Sequence, residues 1–575
     1  MNYLQVMVNR KHTRKFLWQC FLVFVIFHLV LIICGIQIYE YMGERNLHEL
    51  LKTALAKGYT CTHIQNGYEH NTQSWSTNLS FLTFTSRNLK ILKSTNNFSE
   101  ALEHRILSKM IKIRTLNQIT NPMTSRKPII FKYATSESTH IKESTKRAAS
   151  TTIDPRIVRC AKVRHRVSQG VLDYINDHGD AELQELIKPL FHKKKLVVWS
   201  LDHHIGPISD LRSLFEPLGV EFIEHTLYHN CDLMCTCEQQ KGFPIFNSHN
   251  IIYVNPDDFE RFYKENKNEY DIERSHVFLV SYSMAILPLY SLFNRSVIAV
   301  ASLRYERTVH SDKHRWYALN EHIRTLATHK RHVIGANSLY DKEYMRYFTG
   351  IVPDLIPSFC AYTGAHYNPT RMSYLYARRP WIPLGNTWHT RVVEHFSKIK
   401  GNFKIHDLTH IYKQHEYSDV AAHLGVVYVP YQTSIMMFFE QYTMGIPLFA
   451  PTLDFLVHLH MVYYVVYDKT MINSVRQSGS IISPHASMNG SFDPNNDADI
   501  DSVRHWLSLS DYYHFPNVTL FNSIEDLVEI LEPMTMARLK VISENMMKYN
   551  RERLKSILRY WRRRLGEIAA AARIT

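Results

Sequence analysis

From residue 193 onward the chain alternates between two textures: short runs of β-branched and aromatic residues, and longer segments whose apolar positions recur three and four apart. The short runs at 196–199, 221–227, 277–282, 297–302, 333–336 and 355–359 predict buried strands, and the segments 256–265, 316–328 and 340–348 between them predict helices. Strands alternating with helices build a parallel sheet with right-handed crossovers, so these strands complete one Rossmann-like domain. Residues 362–388 carry Gly364, Asn368, Pro369, Pro380, Pro383 and Gly385 and read as a linker. A second α/β series follows, with 403–405, a compact unit at 426–454, the run 462–467, and 518–521 leading into a helix at 523–531. A last helix at 534–571 places Leu554, Ile557, Leu558, Trp561 and Leu565 on one stripe that packs on the domains, its cations forming a solvated face.

The amino-terminal third differs. Phe16 to Tyr39 is a run of 24 residues without a formal charge; at about 1.5 Å per residue it reaches the thickness of a bilayer. Arg10, Lys11, Arg14 and Lys15 precede it, whereas Glu40, Glu44 and Arg45 follow, which predicts a cytosolic amino terminus and a single-pass type II protein of the Golgi or ER membrane. Residues 40–154, rich in Ser, Thr, Asn and Lys, predict a stem. The expected plan is a tail at 1–15, a signal anchor at 16–39, a stem at 40–154, a first domain at 155–361, a linker at 362–388, a second domain at 389–533 and a terminal helix at 534–575.

Composition changes this picture little. The 45% hydrophobic content over 575 residues supports large cores. The net charge of +14 is concentrated in the four residues before the apolar run and in eight basic side chains against Glu552 over 548–564. The body is therefore nearly neutral, and no nucleic-acid partner is expected. Outside the apolar run stand Cys61, Cys160, Cys231, Cys235, Cys237 and Cys360, an even number that suits disulfides in an oxidising compartment, with the pairing open. Acceptor sequons at Asn78, Asn97, Asn294, Asn489 and Asn517 agree with a secretory route.

The unit at 426–454 carries the candidate chemistry. Val426 to Val429 form a strand and Pro430 ends it; Gln432, Thr433 and Ser434 offer caps for a helix at 434–444, with Ser434 accepting from its first-turn amides. Gly445 stops the helix and Leu448 to Ala450 form the next strand. Glu440 is the one charge in that helix. The stretch Glu440 to Pro447 resembles the donor-site signature of GT-B glycosyltransferases, in which a Glu five residues before a Gly-x-Pro turn binds the ribose hydroxyls of the nucleotide; Glu440, Gly445 and Pro447 match this spacing. Retaining members carry another Glu where this chain has Gln432. The resemblance implies an α/β fold of two tandem Rossmann-like domains and transfer of a sugar from a nucleotide-sugar donor to a glycan or glycoprotein hydroxyl, with the nucleotide-sugar as co-substrate and no resident cofactor.

Ligands of doubly wound sheets bind beyond the carboxyl ends of the strands, so the loop after the first strand should face the cleft. It offers Asp202 and His204 as candidate general bases. Arg304, Tyr412 and Lys413 are candidates for donor binding, and the Thr433 and Ser434 amides are candidates for a pyrophosphate. Asp497-Ala498-Asp499 has the form of a metal-binding Asp-x-Asp but lies in a breaker-rich loop late in the chain. Cys231, Cys235 and Cys237 lack the second cysteine pair of a zinc ribbon, so no metal is expected. There is no Gly-rich loop ending in Lys-Ser/Thr and no Gly-x-Ser-x-Gly elbow, which argues against a kinase, a sulfotransferase and a hydrolase. A non-catalytic lumenal module of the same fold, binding a glycan or partner, is the alternative.

Overall fold

The computed structural model describes residues 155–575, apart from Lys193, 227–234, 236–242, Pro244, 247–254, Ser283, 378–391, 393–395, 397–402, 413–414, 467–481 and Thr575. All of them belong to one compact unit, Lys146–Thr575. The expected tail, membrane span and stem lie outside the described residues, with Cys61, Asn78 and Asn97. Among the described residues no helix is long and apolar enough to cross a membrane.

Two parallel sheets build the unit. The first has the order β2-β1-β3-β4-β5-β6, with β1 Val197–Asp202, β2 Glu221–Thr226, β3 Val277–Val280, β4 Ser296–Ala301, β5 Val333–Ala336 and β6 Asp354–Leu355. The second has the order β11-β10-β9-β7-β8, with β7 Arg371–Ala377, β8 Lys404–Asp407, β9 His423–Tyr428, β10 Leu448–Pro451 and β11 Thr519–Phe521. Counted within its own sheet, each starts 2-1-3-4-5. Each therefore has a switch point between its first and third strands, at β1/β3 and at β7/β9. The protein is α/β with two parallel sheets, as two Rossmann-like domains require. Strands β1, β3, β4, β5, β9 and β10 are buried at every position, which is why they read as continuous apolar runs rather than alternating ones.

Three expectations are corrected. Arg371–Ala377 falls in the segment expected to link the domains, yet it is β7, paired with both β8 and β9; its buried positions include Tyr374 and Tyr376, and flanking breakers masked the run. In the expected strand at 462–467, residues 462–466 supply the end of the helix Leu453–Tyr463 and irregular chain after it, not a strand, and Tyr467 lies outside the described residues. The expected strand at 355–359 shortens to Asp354–Leu355.

Two helices bind the sheets together. Helix α1 (Pro155–His178) places Val171, Tyr174 and Ile175 in the core of the first sheet, and Val163 and Val167 in a core shared with Leu375, Val426 and Phe438 of the second half. The terminal helix, Met536–Ala571, contributes Leu539 to the second core and the predicted stripe Leu554, Ile557, Leu558, Trp561 and Leu565 to the first. Fully buried side chains of this size each stabilise by about 1.5–3 kcal/mol, so the helix acts as a clamp across both halves. A disulfide joins Cys160 of α1 to Cys235. Cys231 and Cys237 lie outside the described residues.

The close approach of α1 to the chain joining the sheets requires a glycine. A Cβ on Gly170 would lie 2.7 Å from the Ala361 carbonyl oxygen. Gly170→Ala is expected to destabilise by about 1–3 kcal/mol through this overpacking, read as a lowered urea midpoint; an unchanged midpoint would contradict the contact.

Candidate functional site

Asp202 ends β1 at the first switch point. Its Oδ2 accepts from the amides of Ser281 (2.6 Å) and Tyr282 (3.1 Å), and its Oδ1 from those of His203 (2.6 Å) and His204 (3.2 Å). Burial raises its pKa against the pull of these amides. A carboxylate committed to four backbone donors fastens the end of β1 to the turn after β3, and this does not fit the expected role of general base. His204 does keep a place at the edge. It precedes helix α2 (Ile205–Phe215), its Nδ1 accepts from the Gly206 amide at 3.3 Å, and its ring lies 5.4 Å from that of Tyr282.

The loop after β9 occupies the second switch point. Thr433 and Ser434 are buried and Gln432 half-buried. Two helices start near here: α3 (Leu339–Thr349) follows β5, and α4 (Met436–Thr443) follows the loop. Helix α4 starts two residues later than expected, with Ile435 as its cap and no side-chain capping bond. Ser434 therefore does not cap it; its hydroxyl is buried near the carboxyl of Asp511, whose raised pKa it moderates. The amino end of α4 points at the first sheet, where the Asn337 Nδ2 lies 3.8 Å from the Met436 sulfur.

Glu440 stands in the middle of α4. Its Oε1 accepts from the hydroxyl of Tyr362 at 2.6 Å and from that of Tyr417 at 2.9 Å. Burial raises the pKa of both tyrosines, and the nearby Glu440 adds to the rise. The Tyr362 hydroxyl also touches the first switch point: a Cβ at Gly206 would lie 3.4 Å from it and 3.4 Å from the His204 ring. Ile205, Tyr362, Tyr431 and Ile435 share one apolar cluster around these groups. The first turn of α2 and the middle of α4, from opposite halves of the chain, thus come together at one tyrosine hydroxyl.

The remaining candidates lie elsewhere. Arg304 is buried in an ion pair with Glu306 at 2.7 Å, its guanidinium 4.3 Å from the Tyr344 ring centre and 3.4 Å from Asn495 Oδ1. It serves packing between β4, α3 and the chain near Asn495, in place of the expected donor phosphate. The Tyr412 hydroxyl bonds His423 at 2.9 Å and also Arg371, residues at the amino ends of β9 and β7. That is the edge opposite to the switch point. Lys413 lies outside the described residues. Asp499 caps the helix Ile500–Ser508, and Asp497 faces His460 at 3.7 Å. Asn294, Asn489 and Asn517 are exposed.

A junction holds this arrangement in place. Between the sheets the backbone passes through Ser358–Tyr362, where Cys360 takes a left-handed conformation with φ 62°. Asp210 of α2 accepts from the Phe359 and Cys360 amides. Arg553 of the terminal helix, here α5 (Met536–Ala571), donates to the Ser358 carbonyl, to Thr443 Oγ1 and to Asn550 Oδ1, and lies over the Phe359 and Phe515 rings. Tyr362, Tyr417 and Asp511 left no local trace in the sequence, because their partners are remote along the chain. Arg553 did leave one: it is in phase with Ile557 and Trp561 on the apolar stripe.

Burial raises the Asp210 carboxyl from 3.8 to about 6, against the pull of the two amides. The folded chain then holds this proton more tightly than the unfolded one. Its contribution to stability is complete below pH 3.8 and is lost as pH rises through about 6. Asp210→Asn, which keeps an acceptor oxygen, removes that dependence. The stability of wild type relative to the variant is expected to fall over this window in urea titrations at a series of pH values; a flat difference would contradict it.

The chain matches no protein-family profile and no curated protein. A solved structure of the glycotransferase of kitacinnamycin matches with 13% identity over 66% of this chain and 98% of that one, at a TM-score of 0.29. The fold assignment accordingly rests on strand order and pairing alone.

Proposed function

We propose that the chain is a glycosyltransferase of the GT-B type, moving a sugar from a nucleotide-sugar donor to a hydroxyl of a glycan or glycoprotein. One observation carries this reading: His204, at the first switch point, and Glu440, on the helix that leaves the second, both lie beside the Tyr362 hydroxyl. Switch points are where doubly wound sheets take their ligands. In this reading the carboxylate of Glu440 receives the ribose hydroxyls, exchanging them for the tyrosine hydroxyls it accepts from in their absence. The amides at the start of α4 receive the diphosphate. His204 takes the proton of the acceptor hydroxyl on its Nδ1, which exchanges the Gly206 amide it accepts from in the acceptor's absence, an imidazole being suited to transfer near neutral pH. The apolar run at 16–39 anchors the enzyme in a Golgi or ER membrane with the sheets on the lumenal side. The sequons Asn294, Asn489 and Asn517 are then open to glycosylation.

A second reading has an observation of its own. Two tyrosine hydroxyls already satisfy one Glu440 oxygen, and Asp202 is consumed by backbone amides. Both features suit a non-catalytic module of the same fold that binds a glycan or partner. Turnover separates the two. The full chain, incubated with UDP-, GDP- and CMP-sugars and a mixed glycan acceptor, is expected to release one nucleotide above the hydrolysis background. Release that stays at background for every donor would favour the binding module.

A further inference from the structure

A second group of chemically competent side chains lies apart from the switch points. Helix α1 ends with Asp177 and His178, and the chain leaving the junction brings His366 against them. The His178 Nε2 lies 3.1 Å from the His366 Nδ1, and the His366 Nε2 lies 3.6 Å from an Asp177 oxygen. The rings meet edge to face at 4.4 Å. One nitrogen from each imidazole and one carboxylate oxygen all fall within 4.8 Å of one another. We infer that Asp177, His178 and His366 form a binding site for a divalent transition ion of the zinc class.

The geometry fits that ion. Tetrahedral zinc with bonds of about 2.0–2.1 Å separates its ligand atoms by about 3.3 Å, close to the 3.1 Å between the His178 and His366 nitrogens; the exposed Asp177 carboxylate, with one oxygen within 4.8 Å of a nitrogen of each ring, joins them by turning its side chain. Imidazole with carboxylate is a donor set that zinc accepts, whereas calcium and magnesium prefer oxygen alone. The Tyr174 ring, 5.1 Å from His178 and 6.3 Å from His366, fixes their orientation. Asp177 is exposed, which leaves room for water to complete the coordination.

The site would be structural. Eight residues of helix separate His178 from Gly170, which touches the Ala361 backbone beside Tyr362; that is about 12 Å. The ion would tie the end of α1 to the chain entering the second sheet, two segments 188 residues apart. This holds whether or not the chain transfers sugar.

The test uses the full chain, stripped with a chelator and titrated with Co²⁺ and then Zn²⁺. The expected result is one equivalent of Co²⁺ with the visible absorption of tetrahedral cobalt, displaced by Zn²⁺, together with a rise in the unfolding midpoint on adding Zn²⁺. His178→Ala and His366→Ala abolish both signals, Asp177→Asn weakens binding about 10–100-fold, and His314→Ala, at an exposed position elsewhere, changes nothing. Midpoints in chelator that match wild type show that the variants fold, and His366→Gln serves where the alanine does not. Absence of stoichiometric cobalt binding by wild type, or equal affinity in the His178 and His366 variants, would overturn the site.

Discussion

Glu440→Ala is expected to lower nucleotide-sugar turnover by roughly 10²–10⁴-fold. A carboxylate accepting two ribose hydroxyls makes two charge-assisted bonds of about 1.5–3 kcal/mol each, and each 1.4 kcal/mol corresponds to about tenfold. The substitution has a structural cost too. Tyr362 and Tyr417 lose their shared acceptor, and two buried hydroxyls without partners cost about 1–3 kcal/mol each. The two effects are separable. Tyr362→Phe with Tyr417→Phe removes the same hydrogen bonds while leaving Glu440 for the donor. The pair of Phe substitutions should therefore lower stability but retain most turnover, whereas Glu440→Ala loses both. Equal turnover in Glu440→Ala and wild type, measured on folded protein, would remove Glu440 from the site.

Arg553→Ala is expected to destabilise by about 3–5 kcal/mol, a large part of the usual 5–15 kcal/mol of a folded unit. The buried guanidinium joins the Ser358 carbonyl of the first half to Thr443 Oγ1 of the second, holds Asn550, and packs on Phe359 and Phe515. Its removal strands three acceptors inside the protein and opens a cavity at the junction. Arg553→Met restores the apolar bulk but not the bonds, so it should fall between alanine and wild type. Urea unfolding of the full chain provides the measurement, and a loss below about 1 kcal/mol for alanine would show that the junction does not depend on this residue. Thr443 lies three residues beyond Glu440 and Ser358 four before Tyr362. The same substitution should therefore loosen the contact between Glu440 and Tyr362.

What the sequence revealed follows from how local each signal is. Strands buried on both faces announce themselves as apolar runs, so most strands of both sheets and the clamp of the terminal helix were legible, and the Glu440-Gly445-Pro447 spacing marked the unit after β9. Strand β7 was hidden because Tyr374 and Tyr376 supply its buried positions between breakers. The fate of Asp202 was not legible, since the amides of Ser281 and Tyr282 that consume its carboxylate lie 79 and 80 residues away. Arg304 read as a donor-binding cation after a strand, and only the packing of Tyr344 and Asn495 around it shows it buried. Ser434 followed the sequence rule for a helix cap, but the helix begins only at Met436, which leaves Ile435 in the cap position. Spacing along the chain carries hydrophobic periodicity well and carries the pairing of polar groups across the fold poorly.

The claim that the loops after β1 and β9 form one nucleotide site is tested most directly by amide hydrogen exchange of the full chain with and without a nucleoside diphosphate. Binding at a shared site predicts slower exchange together in peptides covering 203–206 and 431–437, and no such protection in Glu440→Ala. Protection confined to one of the two segments, or absent from both while the nucleotide is bound, would contradict it.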